Sequence, residues 1–223
     1  MPKMKYNIRN LRGNKLKEYK KSLLPLSQEE EDILLGTLLG DSCIPRESNC
    51  IRFFQTLKAY TYVNHLYQIL QRYTGTPPRV SRYYDKRRNK AYYGITFSTY
   101  SHPHFQPYKD LFYYIDDGGK QIKQVPRNIE ALLNPRALAY WFMDDGSKVS
   151  NFKAYRLNSQ GFTAKENLLL IRALENRYGI KGTIQRDGKY TRIYIRTESV
   201  KDFNKLIQPY LFPYFNYKLV ETG

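Results

Sequence analysis

Cysteine and histidine are scarce in this sequence. Its 223 residues include two cysteines, Cys43 and Cys50, and three histidines, with no CxxC pair and no histidine at ligand spacing near a cysteine. This composition encodes neither a disulfide framework nor a zinc site. His102-Pro103-His104 could supply ligands to a catalytic metal, but histidines on either side of a proline are more typical of a loop.

Long apolar runs and acidic residues are also lacking. No stretch approaches the roughly 18 consecutive apolar residues of a membrane-spanning helix, or the apolar core of about seven residues of a secretory signal, so no membrane partner is expected. Asp and Glu number 20 against 37 Lys and Arg, which gives a formal charge of +17. Because the basic residues are spread along the chain, they predict a long surface for a polyanion, and nucleic acid is the first candidate.

The amino-terminal segment has the most one-sided charge. Its first seventeen residues contain several Lys and Arg and no acid. Such a segment is compatible with an organellar targeting peptide and equally with a basic arm that lies on DNA. Residues 1–24 are therefore described as a basic arm, and both interpretations stay open.

Two predicted helices share a pattern that ends on an aspartate. Ser27-Gln28-Glu29-Glu30 forms a capping box ahead of the apolar segment 33–39, and Asp41 closes this first helix. The second helix begins at Asn134-Pro135, an N-cap followed by a first-turn proline, and leads into Asp145. The two aspartates therefore occupy corresponding positions.

Glycines mark where these helices end and how they could pack. Gly146 is placed to stop the second helix directly after Asp145. Gly36 and Gly40 lie one turn apart in the first helix and have no side chains. A partner helix can therefore approach closely, which would bring the carboxylates of Asp41 and Asp145 together.

The order of elements after each helix is repeated, which predicts one structural unit present twice. In the first half we predict a strand, a helix, a strand pair and a short helix at 51–57, 59–73, 79–84 with 91–99, and 108–114. In the second half the strand is at 154–160, a helix capped by Thr163-Ala164-Lys165-Glu166 ends at Gly179, a hairpin turns at Asp187-Gly188, and Ser199-Val200-Lys201-Asp202 caps the last helix. The predicted class is α+β with two αββαββα halves, at 25–117 and 135–223, joined by a linker at 118–134.

The strand at 190–197 alternates with period two, so that one face is basic and aromatic and the other carries Thr and Ile. A solvated sheet face would explain this pattern. With the net charge and the repeat, a sheet laid along a DNA groove explains it better, since Arg can read guanine edges and Tyr hydroxyls can bond phosphates. The predicted DNA-binding residues are Arg52, Arg79, Arg82, Arg87, Arg88, Arg156, Asn158, Tyr190, Arg192, Tyr194 and Arg196.

The sequence around the two aspartates resembles a known pair of signatures. Residues 138–146, LAYWFMDDG, resemble the second signature of two-motif, single-chain LAGLIDADG homing endonucleases, and residues 34–42 resemble the first. Residues 16–20, 158–160 and 217–219 are similar to intron-encoded mitochondrial members of the family, so the resemblance covers nearly the whole chain from Leu16. The first signature departs from the family pattern at Leu39 and Ser42, but it retains the carboxylate of Asp41.

The resemblance implies the main residues of an active site. Asp41 and Asp145 would be the catalytic carboxylates and would hold Mg²⁺, with two or three divalent ions bound in total. A carboxylate at a helix C-terminus suits a cation, because the helix end carries partial negative charge. Lys123 and Lys218 resemble the lysines near each active site, where they would orient the attacking water or stabilise developing charge.

Further polar residues are expected near the two aspartates. Gln55 and Gln160 follow the two aspartates by 14 and 15 residues and resemble water-positioning residues of the family. When the glutamines are matched, Phe53 aligns with Asn158, so a bulge or strand end must intervene in one half. Asp144 points about 100 degrees away from its neighbour on the helix, and we expect it to act as a cap or to support the site from behind.

The activity implied by the resemblance is site-specific cleavage of both strands of a long, asymmetric double-stranded DNA target across the minor groove, with 3′ overhangs, in support of intron homing. The implied fold places the motif helices at the centre of a pseudo-twofold molecule whose sheets form a DNA-binding saddle. A monomer in an organelle is expected, with the mitochondrion favoured over the chloroplast.

Other functions remain open from the sequence. An intron-splicing maturase would bind intron RNA on the same scaffold, and a DNA-binding protein with no cleavage activity is a further alternative. The presence of both acids and both lysines favours cleavage. A tyrosine-rich ribosomal RNA-binding protein would not require paired signatures, which are present here.

Overall fold

The computed structural model of the protein describes residues 11–86, 88–149 and 152–221. Its helices are α1 (Gly13–Lys21), α2 (Gln28–Leu39), α3 (Tyr60–Ile69), α4 (Gln106–Phe112), α5 (Ile129–Leu132), α6 (Pro135–Asp145), α7 (Ala164–Tyr178) and α8 (Val200–Ile207). Its strands are β1 (Arg52–Thr56), β2 (Arg79–Asp85), β3 (Lys90–Ser98), β4 (Tyr113–Ile115), β5 (Gln121–Lys123), β6 (Gly146–Lys148), β7 (Tyr155–Leu157), β8 (Gly182–Asp187) and β9 (Tyr190–Ile195). Across these described ranges, every helix is too short or too polar to cross a bilayer.

The chain folds into two compact units. Unit 1 comprises the described residues up to Glu30 together with Ser42–Gln106, and unit 2 comprises Glu31–Asp41 together with the described residues from Pro107 onward. From Glu31 the first motif helix, α2, therefore belongs to the unit that also contains the second motif helix, α6. The two units are defined by which residues pack together, whereas the two predicted halves are defined by the repeated order of elements in the sequence. The boundaries therefore differ.

Unit 1 is built on a three-stranded antiparallel sheet with strand order β1-β3-β2. Phe53 of β1 pairs with Phe97 of β3, and the two rings stack with centroids 4.6 Å apart. Tyr67 of α3 packs edge-on against Phe97 with centroids 5.8 Å apart. One face of this sheet is therefore an aromatic core. The hydroxyl of Tyr19 in α1 donates to the carbonyl of Arg72 at 2.9 Å, which anchors α1 on the same unit.

Unit 2 contains a four-stranded antiparallel sheet with strand order β6-β7-β9-β8. Its core is aromatic where α6, β7 and α8 meet. Phe142 lies 5.0 Å from Tyr155 and 5.4 Å from Phe203 between ring centroids, and Trp141 is fully buried. This packing fixes the second motif helix against the sheet that follows it.

Side-chain hydrogen bonds confirm most of the predicted helix starts. The N–H of Ser27 donates to the Glu30 carboxylate at 2.7 Å, and the Glu30 N–H donates to the Ser27 hydroxyl at 3.3 Å. The side chain of Asn134 accepts an N–H from the first turn of α6 at 2.9 Å. Thr163 and Glu166 form the second capping box. The predicted turns also hold, since Gly179 and Gly188 have positive φ values of 66° and 59°.

Two helix ends differ from the prediction. Ser199 makes no capping hydrogen bond to α8, because its backbone is already helical, and an N-cap requires an extended residue. Its hydroxyl instead accepts the N–H of Lys181 at 2.8 Å. Gly146 does end α6, but in an extended rather than a left-handed conformation. A Cβ at Gly146 would lie 2.2 Å from the ring of Phe142, so close packing explains the glycine.

The predicted α+β class with antiparallel sheets is confirmed, while the two halves are unequal in detail. In the second half β6 pairs with β7 directly after the motif helix. In the first half the corresponding pairing within the described residues is an isolated bridge between Cys43 and Arg52. The segment 118–134, predicted as a linker, contains β5 and α5, and β5 pairs with β4. Three-residue strands leave little periodicity from which to predict them.

Candidate active site

The two motif helices, α2 and α6, pack closely against each other within unit 2. A Cβ added at Gly36 would lie 2.2 Å from the carbonyl oxygen of Ala137 and 2.8 Å from the Cβ of Tyr140. A Cβ added at Gly40 would lie 2.6 Å from the Cβ of Asp144. Only residues without side chains permit this approach, which confirms the packing role predicted for both glycines.

The close crossing brings the C-terminal ends of both helices together, each at an aspartate. Asp41 follows α2 and is exposed, whereas Asp145 is the last residue of α6 and is half-buried. The Asp144 carboxylate accepts the backbone N–H of Asp41 at 3.3 Å. Asp144 therefore supports the main chain that carries Asp41, as expected for a capping residue.

A lysine binds the carbonyl end of each motif helix. Lys123, at the end of β5, donates from Nζ to the carbonyl of Gly40 at 2.8 Å. Lys218 donates from Nζ to the carbonyl of Met143 at 2.6 Å. The last carbonyls of a helix lack partners within it and carry partial negative charge, which a lysine offsets. Both lysines thereby place positive charge next to the aspartates.

The electrostatics of the pair are set first by burial of Asp145 and then by the negative charge of Asp41. Burial, followed by the charge of Asp41, raises the pKa of Asp145 from 3.8 to about 7, and Lys123 and Lys218 oppose the rise. Burial lowers the pKa of Lys218, although the nearby aspartates act in the opposite direction. The indole N–H of Trp141 is buried without a hydrogen bond of normal geometry, yet it lies close enough to Asp145 to lower the pKa of that carboxyl slightly.

This pair of carboxylates fits a divalent cation. The charge of Asp41, which adds to burial in raising the pKa of Asp145, would favour a cation in the same place, and the cation would let both carboxylates ionise. Within the described ranges no three His, Cys, Asp or Glu side chains are grouped as metal ligands. Mg²⁺ keeps several waters and typically takes only one or two carboxylates, so Asp41 and Asp145 form a sufficient donor set.

Asn158, not Gln160, lies at the end of α6. The Asn158 backbone N–H and side-chain Nδ2 both donate to the carbonyl of Asp145, at 2.9 and 2.8 Å. The Gln160 amide instead donates to Asp187 at 2.9 Å, near the hairpin turn of β8 and β9. Gln55 is half-buried in unit 1, on the strand face that pairs with Ile95. Gln55 lies within β1, whereas β7 ends at Leu157, before Gln160. The two glutamines therefore do not occupy equivalent positions in the two halves.

In unit 2 the predicted basic and aromatic sheet face is present. Arg156 pairs with Tyr194, and the Arg156 guanidinium donates to Gln185 at 2.7 Å. Arg192 donates to the same Gln185 oxygen at 3.2 Å and lies 3.4 Å from Asp187. Ile193 and Ile195 point the other way and are fully buried. The hydrogen bonds hold the arginines on the solvent face, where Tyr190 and Arg196 are also exposed.

In unit 1 the predicted basic residues do not share one face. Arg52 and Arg79 lie on the solvent face, opposite Ser98 and Thr96 of β3. Arg82 is paired with Tyr93 and lies on the other face, because strand positions three residues apart alternate sides. Arg79 and Arg82 therefore point to opposite sides of the sheet, and a role for each in DNA binding stays a prediction.

The remaining basic residues of this hairpin lie at its turn. Arg88 is exposed, and its backbone N–H donates to Asp85 at 3.4 Å. A hydrogen bond with Tyr92 raises the pKa of Arg88. Arg87 lies outside the described residues.

Asn158 and Trp141 are the neighbours of the aspartates whose positions sequence reasoning missed. Asn158 follows Asp145 by 13 residues, and Phe54 follows Asp41 by the same number (158 minus 145, 54 minus 41). Aligning the two halves on their aspartates and counting 13 residues onward would have identified Asn158. Aligning them on Gln55 and Gln160 instead hid this position. Phe54 is exposed and apolar, so the two halves differ at this position.

The comparisons agree with this geometry. A model of the LAGLIDADG DNA endonuclease family matches residues 31–203. The probable intron-encoded endonuclease 1 of Wickerhamomyces canadensis is 29% identical, over 92% of this chain and 90% of that protein. The DNA endonuclease I-ChuI of Chlamydomonas applanata is 30% identical, over 88% and 96% of the two chains. The cytochrome b mRNA maturase bI2 of Saccharomyces cerevisiae is 30% identical over 97% of this chain but only 53% of its own length.

A solved structure agrees as well. The homing endonuclease I-WcaI bound to its DNA recognition sequence superposes with a TM-score of 0.86 at 26% identity, over 97% of this chain and 99% of that one. Two crossed helices that end in paired acids, each followed by an antiparallel sheet, define a nuclease of the double-motif class. The chain belongs to the LAGLIDADG DNA endonuclease family. Both signatures lie in one chain, so the predicted two-motif, single-chain type and the predicted DNA endonuclease class are confirmed.

Proposed function

We propose that this protein is a homing endonuclease that hydrolyses both strands of a long, asymmetric DNA target and leaves 3′ overhangs. The observation that carries the proposal is the pairing of Asp41 and Asp145 at the ends of two helices whose close crossing depends on Gly36. Two carboxylates, one from each motif, give one acid for each strand of the duplex.

The proposed reaction is metal-dependent hydrolysis of the DNA phosphodiester by residues at the ends of the two motif helices. A divalent cation, Mg²⁺ with two or three ions by family resemblance, would activate water and relieve charge on the phosphoryl oxygens. Asp41 and Asp145 would hold this cation, one carboxylate from each motif helix. Lys218 and Lys123 keep positive charge beside the carboxylates and fix the helix ends that carry them. Asn158 holds the carbonyl of Asp145 with two hydrogen bonds and so positions the second acid.

The solvent faces of the two sheets are the surfaces we propose for DNA. In unit 2 this face carries Arg156, Arg192, Tyr190 and Tyr194, and in unit 1 it carries Arg52 and Arg79 along with Phe54. Guanidinium and phenol groups on a sheet can reach base edges and phosphates in a major groove. Because the side chains of the two faces differ, the target is expected to be asymmetric.

The biological setting is proposed from similarity to intron-encoded proteins. Promotion of intron homing by a monomer in an organelle, with the mitochondrion favoured over the chloroplast, fits the intron-encoded endonucleases and the cytochrome b maturase that the chain resembles. Double-stranded DNA is the expected partner.

A maturase activity is the second candidate function. It is favoured by 30% identity to cytochrome b mRNA maturase bI2 over 97% of this chain, although the chain spans about half that protein's length. Such an activity would add intron RNA as a partner without requiring loss of Asp41 or Asp145.

One experiment separates these possibilities. The protein is incubated in Mg²⁺, or in EDTA, with a randomised duplex DNA library, with intronless genomic DNA and with intron RNA. Sequencing of cut ends should reveal one long asymmetric site with 3′ overhangs, in Mg²⁺ only. Stimulated splicing of the RNA would support the maturase, whereas DNA binding without cut ends would sink the endonuclease proposal.

A further inference from the structure

A basic cleft in unit 1 is lined by no residue of the motif helices α2 and α6. Its volume is about 490 Å³, and it is enclosed by α1 on one side and by the loop at 101–104 on the other. The lining from α1 includes Lys17, Lys20 and Lys21, and the loop contributes His102 and His104. We call this feature the α1 cleft.

The lysines of the α1 cleft are arranged for an external anion. Positions 17, 20 and 21 lie on one side of a helix, because residues three and four apart are neighbours. None of the residues of α1 is buried, and within the described part of the chain neither Lys17 nor Lys21 forms an ion pair or hydrogen bond through its side chain. The Lys20 ammonium lies 5.8 Å from the centroid of the Tyr100 ring. Like charges this close repel each other, and an anion between them would relieve the repulsion.

The loop at 101–104 holds α1 in place. The hydroxyl of Tyr73 donates to the carbonyl of Leu24 at 2.7 Å, so the 2.7 Å contact with His104 Nδ1 must be donated by that ring nitrogen. The His104 backbone N–H donates to His102 Nδ1 at 3.2 Å. His102 Nε2 must then carry hydrogen and donates to the carbonyl of Lys20 at 2.9 Å. Both rings are therefore fixed, and α1 is tied to the loop at its C-terminal turn.

This assignment leaves Nε2 of His104 as the ring nitrogen without a described partner. Burial, followed by the charges of His102 and Arg72, lowers the pKa of His104. An anion between the lysines would favour protonation of Nε2 and make His104 a further donor. Apolar side chains complete the lining, among them Leu16, Leu23 and Pro103.

We propose that the α1 cleft is a phosphate-binding site, separate from the catalytic centre. The ligand is a phosphate group, either of a nucleic-acid backbone or of a free nucleotide. Three lysines and one histidine are hydrogen-bond donors, so they can bind an anion but not a cation. The backbone source rests on the proposed function, since it requires that the protein bind DNA. The site also gives the basic arm a role in the folded protein, since its residues from 13 to 21 form α1.

The test compares two variants of equal charge. Lys17→Gln with Lys21→Gln removes two exposed lysines of the cleft, and Lys165→Gln with Lys201→Gln removes two exposed lysines of unit 2. All of these side chains are exposed, so both variants should melt at the wild-type temperature. Duplex binding is measured over a series of salt concentrations, and the histidine ring nitrogens are followed by ¹⁵N NMR as inorganic phosphate or a 5′-nucleotide is added.

If the ligand is a phosphate of the DNA backbone, the variant Lys17→Gln with Lys21→Gln should reduce the steepness of log affinity against log salt for duplex DNA by about 0.9 for each lost contact. The control variant should leave this slope nearly unchanged. If the ligand is a free nucleotide, added phosphate or nucleotide should shift the ¹⁵N signals of the His104 ring, and the cleft variant should abolish this shift. The salt dependence of duplex binding should then be equal in both variants. Equal slopes together with an unresponsive His104 would overturn the site. If the chain bound no DNA at all, the NMR arm would still report on the cleft, so the two proposals fail separately.

Discussion

At the scale of single residues, the two acids proposed for catalysis are not equivalent. Asp145 is half-buried, its carbonyl is held by Asn158, and its pKa is raised to about 7 by burial and by Asp41. Asp41 is exposed, and Phe54 stands where the other half has Asn158. The unequal surroundings suggest unequal control of the two strands.

Single substitutions should separate the two strand cuts. We expect Asp41→Asn and Asp145→Asn each to abolish double-strand cleavage, because each removes one carboxylate without changing side-chain size. Asp145→Asn should also leave less residual nicking than Asp41→Asn, since Asp145 is the better fixed acid. Conversion of supercoiled plasmid carrying the target to nicked and linear forms measures both effects. Linear product at the wild-type rate from either variant would contradict the assignment.

A second prediction at this scale concerns Glu30, at the start of α2. Burial raises the pKa of Glu30, but hydrogen bonds from Arg72 and Ser27 outweigh it and hold the pKa below 4.5. Arg72 Nε lies 2.9 Å from the carboxylate, which is 6% exposed. A depressed pKa in the folded state stabilises the fold above the unfolded pKa, and this contribution is lost as the pH falls through the folded value.

Glu30→Gln should therefore lower the free energy of unfolding by about 1–3 kcal/mol at pH 7. The difference from wild type should shrink as the pH is lowered below about 4.5, where the wild-type carboxylate takes up its proton. Urea unfolding between pH 7 and pH 3 measures this difference. A constant difference across that range would show that the ion pair with Arg72 is not its source.

At the scale of elements, the crossing of α2 and α6 controls the site. Gly36→Ala would place a methyl group 2.2 Å from the Ala137 carbonyl oxygen, which belongs to a helix backbone and cannot move cheaply. Overpacking of this kind destabilises by about 1–3 kcal/mol, occasionally more, and here it would also separate the two aspartates. We expect both stability and cleavage to fall.

Gly161→Ala provides the matched control for the helix crossing. A Cβ at Gly161 would meet no atom within 4 Å, so stability should change by less than about 0.5 kcal/mol. Thermal unfolding and a cleavage assay are run on both variants. If Gly36→Ala behaved like Gly161→Ala, the close approach of the two helices would be refuted.

The elements also show what a sequence can and cannot predict. Helices α2, α6 and α7 were predictable, because Ser27, Asn134 and Thr163 are capping residues followed by long apolar patterns. The hairpin of β8 and β9 was predictable from Asp187-Gly188. Strands β4 to β6 have three residues each and give no reliable period. Ser199 failed as a cap because the preceding turn, set by tertiary packing, had already made its backbone helical.

The site was predictable to a similar degree. Aspartates at two helix ends follow from the signatures, and the glycines predict the crossing. The contact between Asn158 and Asp145 depends on where β7 ends, which propensities do not fix. The opposite faces of Arg79 and Arg82 follow from strand alternation once the strand is known.

At the scale of the whole molecule, a net charge of +17 should dominate DNA affinity. Each phosphate neutralised by Lys or Arg contributes about −0.9 to the slope of log affinity against log salt for duplex DNA. We expect a steep slope for target and for unrelated duplexes, with tighter binding of the target at every salt concentration. Fluorescence anisotropy over a salt series measures both slopes, and a shallow slope would exclude an electrostatic surface of this extent.

Cleavage by the paired carboxylates is tested most directly with the double variant Asp41→Asn, Asp145→Asn on a duplex that contains the selected target. In Mg²⁺ the wild-type protein should cut both strands, and the double variant should bind the duplex but yield no product above the EDTA background. Cutting by the double variant at the wild-type rate would contradict the role assigned to Asp41 and Asp145.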